Sequence, residues 1–384
     1  MKAQVLIIVC MTVLLAACSK SNQQNSERAV QKVSIEASSD EILFSEIFKD
    51  QPEVIKLQTT EKSMIKYASE VKFMEDKIYV LSRDRIESRF RIFNRDGSFF
   101  GHLNRQGRGP GEYVRILCFA LNRENGKIYI YDDGSKKILA FDKKLNFIEE
   151  KEVPFTFWGF EFIPPAHFAF RASGSNPKKY RYHVILTDSN FNITDKFLPS
   201  KSKNEGTIGS EEFIRTPKEN LLFAPNWTDT VYSISSNGVR PQYQIEFNKD
   251  DVPPERIYQK GSKAILKSDY IYSHIFNVIN NKAVVQYYTD EQRHLSIIDM
   301  ESEAQIFSDN DIRDDMGFFL DNPGISFFNK NKIGYTIYPS SLPKKKEKHA
   351  DRKLNPAIQS MEMGDNPALV LFELSEDIGD PDNN

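Results

Sequence analysis

Six pairs of short apolar segments recur along this chain, and no other feature restricts its fold as strongly. Each segment holds four to six residues and is bounded by turns rich in Asn, Asp, Gly or Ser. The pairs are Lys77–Leu81 with Phe90–Asn94, Lys127–Tyr131 with Ile138–Asp142, His167–Phe170 with His183–Asp188, Asn220–Phe223 with Thr230–Ile234, Lys282–Val285 with His294–Asp299, and Lys332–Tyr335 with Ala368–Phe372. A spacing of roughly 40 to 65 residues between pairs is typical of a propeller, whose blades are small antiparallel sheets. The sequence therefore predicts an all-β fold, a six-bladed β-propeller.

One further apolar segment, Glu53–Leu57, has no partner in its own neighbourhood, and no outer strand follows Leu374 in the last blade. We expect the N-terminal strand to join the last blade, because this closure protects a strand edge that would otherwise invite aggregation. The alternative is a pair of stacked β-sandwich sheets, although their strands should not recur with one blade-sized period.

The first eighteen residues carry the pattern of an export signal. Lys2 precedes an apolar run, Val5–Leu15, that is too short to span a bilayer comfortably. The run ends in Leu15–Cys18, which resembles a bacterial lipobox. We expect Cys18 to carry a lipid that holds the chain at the cell envelope of a Gram-negative-type bacterium, on the periplasmic side or at the outer membrane. The alternatives are a buried N-terminal helix or a cleaved signal without a lipid.

Four regions follow from these patterns. Residues 1–17 are predicted to be a lipoprotein signal peptide, and the polar residues 18–50 are predicted to be a tether. Residues 51–375 are predicted to form the six-bladed propeller. The acidic tail at 376–384 is predicted to be disordered.

Charge and cysteine content restrict the partners. The 51 Lys and Arg residues nearly balance the 54 Asp and Glu residues, giving a net charge of -3, so nucleic acid is not expected as a partner. Of the three cysteines, Cys10 leaves with the signal and Cys18 is acylated, which leaves Cys118 without a disulfide partner. Its apolar surroundings indicate a buried core residue rather than a nucleophile.

A family resemblance rests on the second blade. Residues 128–142, Ile-Tyr-Ile-Tyr-Asp-Asp-Gly-Ser-Lys-Lys-Ile-Leu-Ala-Phe-Asp, resemble an NHL-type repeat, and the preceding Gly-rich segment Gly101–Tyr113 resembles its blade linker. Together with the lipobox and the tether, they resemble the bacterial six-bladed β-propeller lipoproteins over nearly all of the mature chain. The resemblance implies the fold, and it supplies no catalytic residue.

Candidate ligand-binding residues lie at the ends of second strands and within the Gly-rich linker, because these segments emerge on the same face of a propeller. They are Arg83, Arg85, Arg105, Arg108, Tyr113, Asp132, Arg171, Trp227 and Tyr288. Arginines and aromatic rings suit a polar, planar or anionic ligand such as a glycan or peptide. The alternative is that Asp132 forms an Asx turn and that the arginines pair with neighbouring carboxylates.

No catalytic, metal or cofactor motif is found. The six histidines have no metal-ligand spacing, and Gly107–Gly111 lacks the ending of a phosphate-binding loop and carries Pro110 within it. We therefore expect a non-catalytic binding or scaffolding module, anchored to a membrane by its N-terminal lipid, for a glycan, a peptide or an envelope protein. The alternative is a propeller-type hydrolase or lyase with a metal-assisted site on the same face, assembled from single residues of different blades.

Overall fold

The computed structural model describes residues 30–36, 41–84, 86–200, 213–225, 228–247, 273–289, 292–343, 347, 352–376 and 378. In chain order, the strands up to residue 199 are β1 (Gln31–Ile35), β2 (Ile42–Leu43), β3 (Glu53–Lys56), β4 (Ala68–Met74), β5 (Lys77–Arg83), β6 (Ser88–Asn94), β7 (Phe99–His102), β8 (Ile116–Leu121), β9 (Ile128–Asp132), β10 (Lys137–Phe141), β11 (Phe147–Glu152), β12 (Phe157–Ile163), β13 (His167–Ala172), β14 (Tyr182–Asp188) and β15 (Ile193–Pro199). The remaining strands are β16 (Phe213–Arg215), β17 (Leu221–Phe223), β18 (Thr230–Ser235), β19 (Gly238–Phe247), β20 (Ser273–Ile279), β21 (Lys282–Thr289), β22 (Gln292–Asp299), β23 (Gln305–Asp309), β24 (Ile312–Arg313), β25 (Phe327–Asn329), β26 (Lys332–Ile337) and β27 (Ala368–Glu373). The described residues also include the short helices α1 (Phe44–Ile47) and α2 (Pro356–Gln359).

Each strand pair found in the sequence is the second and third strand of one antiparallel sheet. Blades 1 to 5 contain β4–β7, β8–β11, β12–β15, β16–β19 and β20–β23, and blade 6 contains β25, β26, β27 and β3. In blade 1, for example, Ile78 of β5 lies opposite Phe93 of β6. The prediction of an all-β, six-bladed propeller is confirmed.

Apolar side chains join neighbouring blades into a ring. The described residues form six apolar clusters, and each cluster lies at one of the six boundaries between blades. The boundary between blades 2 and 3 is the most aromatic, and there Tyr131 stacks on Phe157 at 3.9 Å between ring centroids. A blade has two apolar faces and cannot bury both alone, so the clusters stabilise the blades only as a closed circle.

Ring closure occurs as the sequence predicted. Strand β3 pairs antiparallel with β27, with Ile55 opposite Leu369, and so becomes the outermost strand of blade 6. Ile55 is 3% exposed and packs in the cluster between blades 6 and 1. The N-terminal strand thereby covers the edge of β27, which would otherwise be unpaired.

The predicted tether, residues 18–50, is wrong in its second half. Strand β1 pairs parallel with β19 as a fifth strand of blade 4, and Val33 and Ile35 are each 1% exposed. Strand β2 then pairs parallel with β24, and α1 buries Phe44 and Ile47 in the cluster between blades 5 and 6. Val33 and Ile35 are two residues apart and so lie on the same face of this short strand, which allows that face to be buried. Residues 18–29 and 37–40 lie outside the described residues.

Part of the predicted acidic tail also packs against the body. Ile378 is 7% exposed and joins the cluster between blades 5 and 6, and Glu376 accepts a hydrogen bond from Lys49 at 2.6 Å. The prediction of disorder from residue 376 is therefore wrong for these two residues. The other residues of the tail lie outside the described part of the chain.

The strand order defines two faces of the ring. The turns between second and third strands and the linkers between blades emerge on one face, which we call the upper face, and the turns between first and second strands emerge on the lower face. Fourth strands run towards the upper face. Because β1 is parallel to β19, the fourth strand of blade 4, β1 begins on the lower face.

Replacing Ile55 with Ala should lower the free energy of unfolding by about 2–4 kcal/mol, because it opens a cavity at the closing boundary. Urea unfolding followed by circular dichroism checks this value. The matched control is Lys56→Ala, an exposed position on the same strand, for which a change within about 0.5 kcal/mol is expected. Equal effects of the two variants would contradict the proposed importance of closure.

A charge at Val33 should displace β1 from blade 4, because an unpaired carboxylate is costly to bury. We expect Val33→Asp to speed amide hydrogen exchange at residues 243–247, which β1 covers, and to lower the melting temperature. The control is Ser34→Asp, which places the same charge on the exposed side of β1. Unchanged exchange in Val33→Asp would show that β1 is not bound to blade 4 in solution.

Candidate functional site

A central cavity of about 620 Å³ runs between the innermost strands of the propeller. Its wall contains residues from all six first strands, namely β4, β8, β12, β16, β20 and β25. The first strand of each blade is the one nearest the centre of the ring, so six such strands can surround one cavity. A cavity of this size, lined by residues of all six blades, is the candidate binding site.

A cluster of charged side chains lies in the wall of the cavity. The Lys72 ammonium lies 2.6 Å from Glu161 and 2.8 Å from Glu70, and it also donates to the Phe119 carbonyl at 2.6 Å. Arg215 donates from Nη2 to Glu161 at 3.1 Å. Since Lys72, Glu161 and Arg215 belong to blades 1, 3 and 4, the cluster joins first strands across the cavity.

The charges of this cluster are maintained at neutral pH. Burial would raise the pKa of Glu161, but Lys72 and Arg215 outweigh it and hold that pKa below its usual value of 4.5. Burial would also lower the pKa of Lys72, but Glu161 and Glu70 keep it above its usual value. Glu161 and Lys72 therefore both remain charged near neutral pH.

The cavity wall has more basic than acidic side chains. The basic ones are Lys72, Arg83, Arg95, Arg123, Arg171, Arg215, Lys330 and Lys332, and the acidic ones are Glu70, Glu75, Glu161, Glu219 and Glu373. An excess of positive charge in a cleft with low-dielectric walls attracts anionic ligands. The cavity therefore differs in sign from the chain as a whole, whose net charge is -3.

Most basic groups near the lower face have carboxylate partners. Arg95 pairs with Glu53 at 2.7 Å, and Lys332 pairs with the same carboxylate at 3.2 Å. Arg123 lies 3.5 Å from Glu219. These pairs neutralise much of the positive charge at the lower end of the cavity. The excess of positive charge is therefore greater at the opposite end.

The upper end of the cavity combines basic and aromatic side chains. We call it the upper mouth and define it by Ser69, Arg83, Leu117, Trp158 and Arg171. Arg83 donates from Nη1 to the Leu117 carbonyl at 3.0 Å and forms no ion pair with a residue that the structure describes. Trp158 is 47% exposed, although tryptophan side chains are highly buried on average.

Three β-bulges shape this mouth. The first strands of blades 1, 2 and 3 each contain one extra residue near their upper end, and these residues are Ser69, Leu117 and Trp158. A bulge interrupts the pairing locally and redirects a side chain, and such bulges are common next to functional sites. Trp158 is the extra residue of the bulge in β12, and it is exposed whereas Phe157 beside it is 1% exposed.

Two of the predicted site residues come together at the upper mouth. Arg83 ends β5 and Arg171 lies near the end of β13, so both are at the upper ends of second strands, as the sequence predicted. Arg105 and Arg108 are exposed on the linker between blades 1 and 2 and do not line the cavity. Tyr288 is absent from the cavity wall as well, and its hydroxyl accepts from Arg293 Nε at 2.9 Å.

Two other predicted site residues have structural roles instead. Tyr113 is 3% exposed, packs in the cluster between blades 1 and 2 and donates to the Leu103 carbonyl at 3.1 Å. Asp132 is fully buried and accepts from the amides of Arg115 at 2.8 Å and Gly134 at 3.0 Å. A ligand cannot reach either side chain, and the Asx-turn alternative for Asp132 is confirmed. Arg85, Trp227 and Cys18 lie outside the described residues.

The Gly-rich linker is closed around one of its own carboxylates. Gly109 donates its amide to Glu112 at 2.8 Å, and a Cβ at Gly107 would lie 2.0 Å from the same carboxylate. Gly111 has a φ of +72° and lies against the Phe147 ring, so both its conformation and its surroundings favour glycine. The linker therefore positions blades 1 and 2.

The charge cluster and Trp158 were missed at the sequence level. Lys72, Glu161 and Arg215 lie on first strands, whereas the repeated pairs mark only second and third strands. The available signal was the occurrence of charged residues within short apolar segments that precede each pair, such as Ala-Ser-Glu-Val-Lys-Phe-Met at 68–74. In a propeller, that position in the repeat places them beside the central cavity.

Neither a reactive thiol nor a cluster of metal ligands is found among the described residues. Cys118 is free and 3% exposed, and burial raises the pKa of its thiol, as expected for a core residue. No group of three or more His, Cys, Asp or Glu residues in the described part of the chain is arranged to hold a metal ion. Likewise, no described helix has the length and apolar character required to cross a membrane.

The fold and its central cavity define a six-bladed β-propeller protein. The chain belongs to the family described as Domain of unknown function (DUF4934), which matches residues 30–373. The matched region begins one residue before β1, so it includes the N-terminal strand that joins blade 4. None of the curated proteins is similar to this chain in sequence.

Solved structures support the fold. A Bacteroides fragilis protein thought to be exported has a TM-score of 0.75 at 16% identity, over 90% of this chain and 100% of that protein. A member of the DUF4221 family from Bacteroides vulgatus has a TM-score of 0.51 at 10% identity, over 86% of this chain and 97% of that protein. The virginiamycin B lyase of Staphylococcus aureus reaches only 0.39 at 10% identity, over 65% of this chain and 70% of the lyase, so no argument about chemistry rests on it. At these identities the likeness concerns the fold alone.

The charge cluster makes stability depend on pH in a defined direction. Because the pKa of Glu161 is lowered in the folded state, its ionised form stabilises the protein above pH 4.5, and this contribution is lost as the pH falls further. We expect Glu161→Gln to lower the free energy of unfolding by about 3 kcal/mol at pH 7, where it leaves Lys72 and Arg215 short of a partner. The difference from wild type should shrink between pH 5 and pH 3. Urea unfolding at several pH values checks both expectations.

The matched control is Glu219→Gln, which makes the same change at a side chain that is 57% exposed. A loss of less than about 1 kcal/mol, nearly independent of pH, is expected there. If Glu161→Gln behaved like this control, the cluster would not be a fixed part of the folded protein.

Proposed function

We propose that this protein is a lipid-anchored binding module of a bacterial cell envelope, which holds a glycan, a peptide or a protein partner at the upper mouth without converting it. One observation carries the proposal: the mouth presents two guanidinium groups and an exposed indole at the opening of a cavity of about 620 Å³. These groups provide forked hydrogen bonds and a stacking surface, both of which serve recognition.

The charged residues deeper in the cavity favour binding over acid–base catalysis. A general acid or base works best when its pKa lies near the working pH. Glu161 and Lys72 are shifted the other way, since each stabilises the charged form of the other at 2.6 Å. In the proposed function they maintain the shape and the electrostatic potential of the cavity.

The direction of β1 fits attachment to a membrane on the side away from the mouth. Strand β1 begins on the lower face, and Gln31 is separated from Cys18 by residues 19–30. Twelve residues reach at most roughly 40 Å when fully extended. A lipid on Cys18 would therefore hold the lower side of blade 4 near the membrane surface and leave the upper mouth accessible.

Binding should be detectable as thermal stabilisation. We expect at least one fraction from a collection of envelope glycans, peptides and proteins to raise the melting temperature by roughly 2–5 °C at about a hundredfold excess over Kd. The screen is run with and without divalent metal ions, and bound fractions are then checked for chemical change. Trp158→Ala and Arg83→Ala should reduce the stabilisation, because both remove groups of the mouth.

The control variants are Arg105→Ala and Arg108→Ala, which remove exposed arginines that do not line the cavity. They should leave the stabilisation unchanged. Turnover of a bound compound, particularly with a metal requirement, would contradict a purely binding role. Equal loss in the mouth variants and the linker variants would contradict the placement of the site.

A further inference from the structure

The upper mouth offers a ligand two guanidinium groups, one exposed indole and a charged interior behind them. We infer that its ligand is an acidic saccharide, a sugar ring that carries a carboxylate, bound by stacking on Trp158 and by pairing with Arg83 and Arg171. This inference rests on the proposed binding function and names the ligand class for the same site.

The two arginines are suited to a carboxylate. One N–H of Arg83 is used by the Leu117 carbonyl, which fixes the guanidinium, and the remaining donors have no carboxylate partner among the described residues. Arg171 belongs to blade 3, and its Nε lies 3.8 Å from the place where a Cβ at Gly159 would be. A Cβ at that distance would be in ordinary van der Waals contact with Arg171, and glycine places no larger side chain over the guanidinium. Guanidinium and carboxylate groups match as two parallel hydrogen bonds.

Trp158 is suited to a sugar ring. The indole is 47% exposed and follows Phe157 on a bulge, so it is supported by the core at one side and open at the other. A pyranose ring has an apolar face formed by its C–H groups, and such a face packs on an indole while the hydroxyls remain solvated or hydrogen-bonded. An exposed indole next to two guanidinium groups therefore suits a pyranose that has an apolar face and carries a carboxylate at its edge.

The interior of the cavity favours a saccharide over a peptide. The charged cluster of Lys72, Glu161 and Arg215 lies in the wall below the mouth. An apolar peptide side chain inserted towards it would remove water from these charges without replacing the lost hydrogen bonds. Sugar hydroxyls both donate and accept hydrogen bonds, so they can replace that water next to carboxylates and ammonium groups.

The experiment compares acids with their own esters. The full chain, purified in a mild detergent, is titrated by calorimetry with disaccharides of galacturonic, glucuronic and mannuronic acid, with the methyl ester of each, and with the matching neutral disaccharides. At least one acid should bind about tenfold or more tightly than its ester, because esterification removes the charge and leaves the ring unchanged. A glutamate-rich hexapeptide is the peptide probe.

The variants separate the two parts of the mouth. Arg83→Ala and Arg171→Ala should each weaken binding of the acid about tenfold or more and leave binding of the ester nearly unchanged. Arg83→Lys, which keeps the charge but loses the fork, should fall between wild type and Arg83→Ala. Trp158→Ala should weaken acid and ester alike, and Arg108→Ala should change neither. The melting temperature of each variant shows whether it is folded.

The possible outcomes distinguish a failure of the acidic-saccharide inference from a failure of the proposed binding function. If acid and ester, or acid and neutral sugar, bind equally at the mouth, the acidic ligand class is overturned and the binding function stands. If the hexapeptide binds and no uronic acid does, the saccharide is overturned in favour of an acidic peptide. If no acid binds better than its ester, the inference also fails. The proposed function fails separately if the wider collection of glycans, peptides and proteins gives no ligand.

Discussion

Closure of the ring by β3 and β27 is the interaction on which the rest of the structure depends. Each blade buries its two faces only against its neighbours, so an open ring would expose the faces of blades 6 and 1 at once. Residues from β3, blade 1 and blade 6 fill the closing boundary, among them Ile55, Phe73 and Leu369. Arg95 and Lys332 add a polar contact by pairing with Glu53, the first residue of β3. The cavity exists only because this circle is complete.

The N-terminal segment extends closure beyond one strand. Strand β1 covers the outer edge of blade 4, β2 and α1 reach blades 5 and 6, and β3 completes blade 6. The first described residues therefore follow the outside of three consecutive blades. This arrangement covers strand edges and buries apolar residues that a flexible tether would have left in water.

The cavity obtains its character from irregularities in otherwise regular blades. Bulges in blades 1, 2 and 3 carry Ser69, Leu117 and Trp158. Among the residues that the structure describes in blades 4, 5 and 6, the first and second strands pair without a register shift. The mouth is consequently asymmetric, with Arg83, Trp158 and Arg171 on the bulged half. A repeated fold thus acquires a specific site when individual blades depart from the common pattern.

The amino-acid sequence by itself determined the number of blades and the closing strand, because second and third strands are almost entirely buried and so keep a regular apolar pattern. It also placed Arg83 at the end and Arg171 near the end of such strands. The tertiary structure alone decided that Lys72, Glu161 and Arg215 meet, since they lie about 50 to 140 residues apart and touch only when the first strands surround one cavity. It likewise decided that β1 folds and that Tyr113 and Asp132 are buried, because burial depends on neighbouring blades and not on the local pattern.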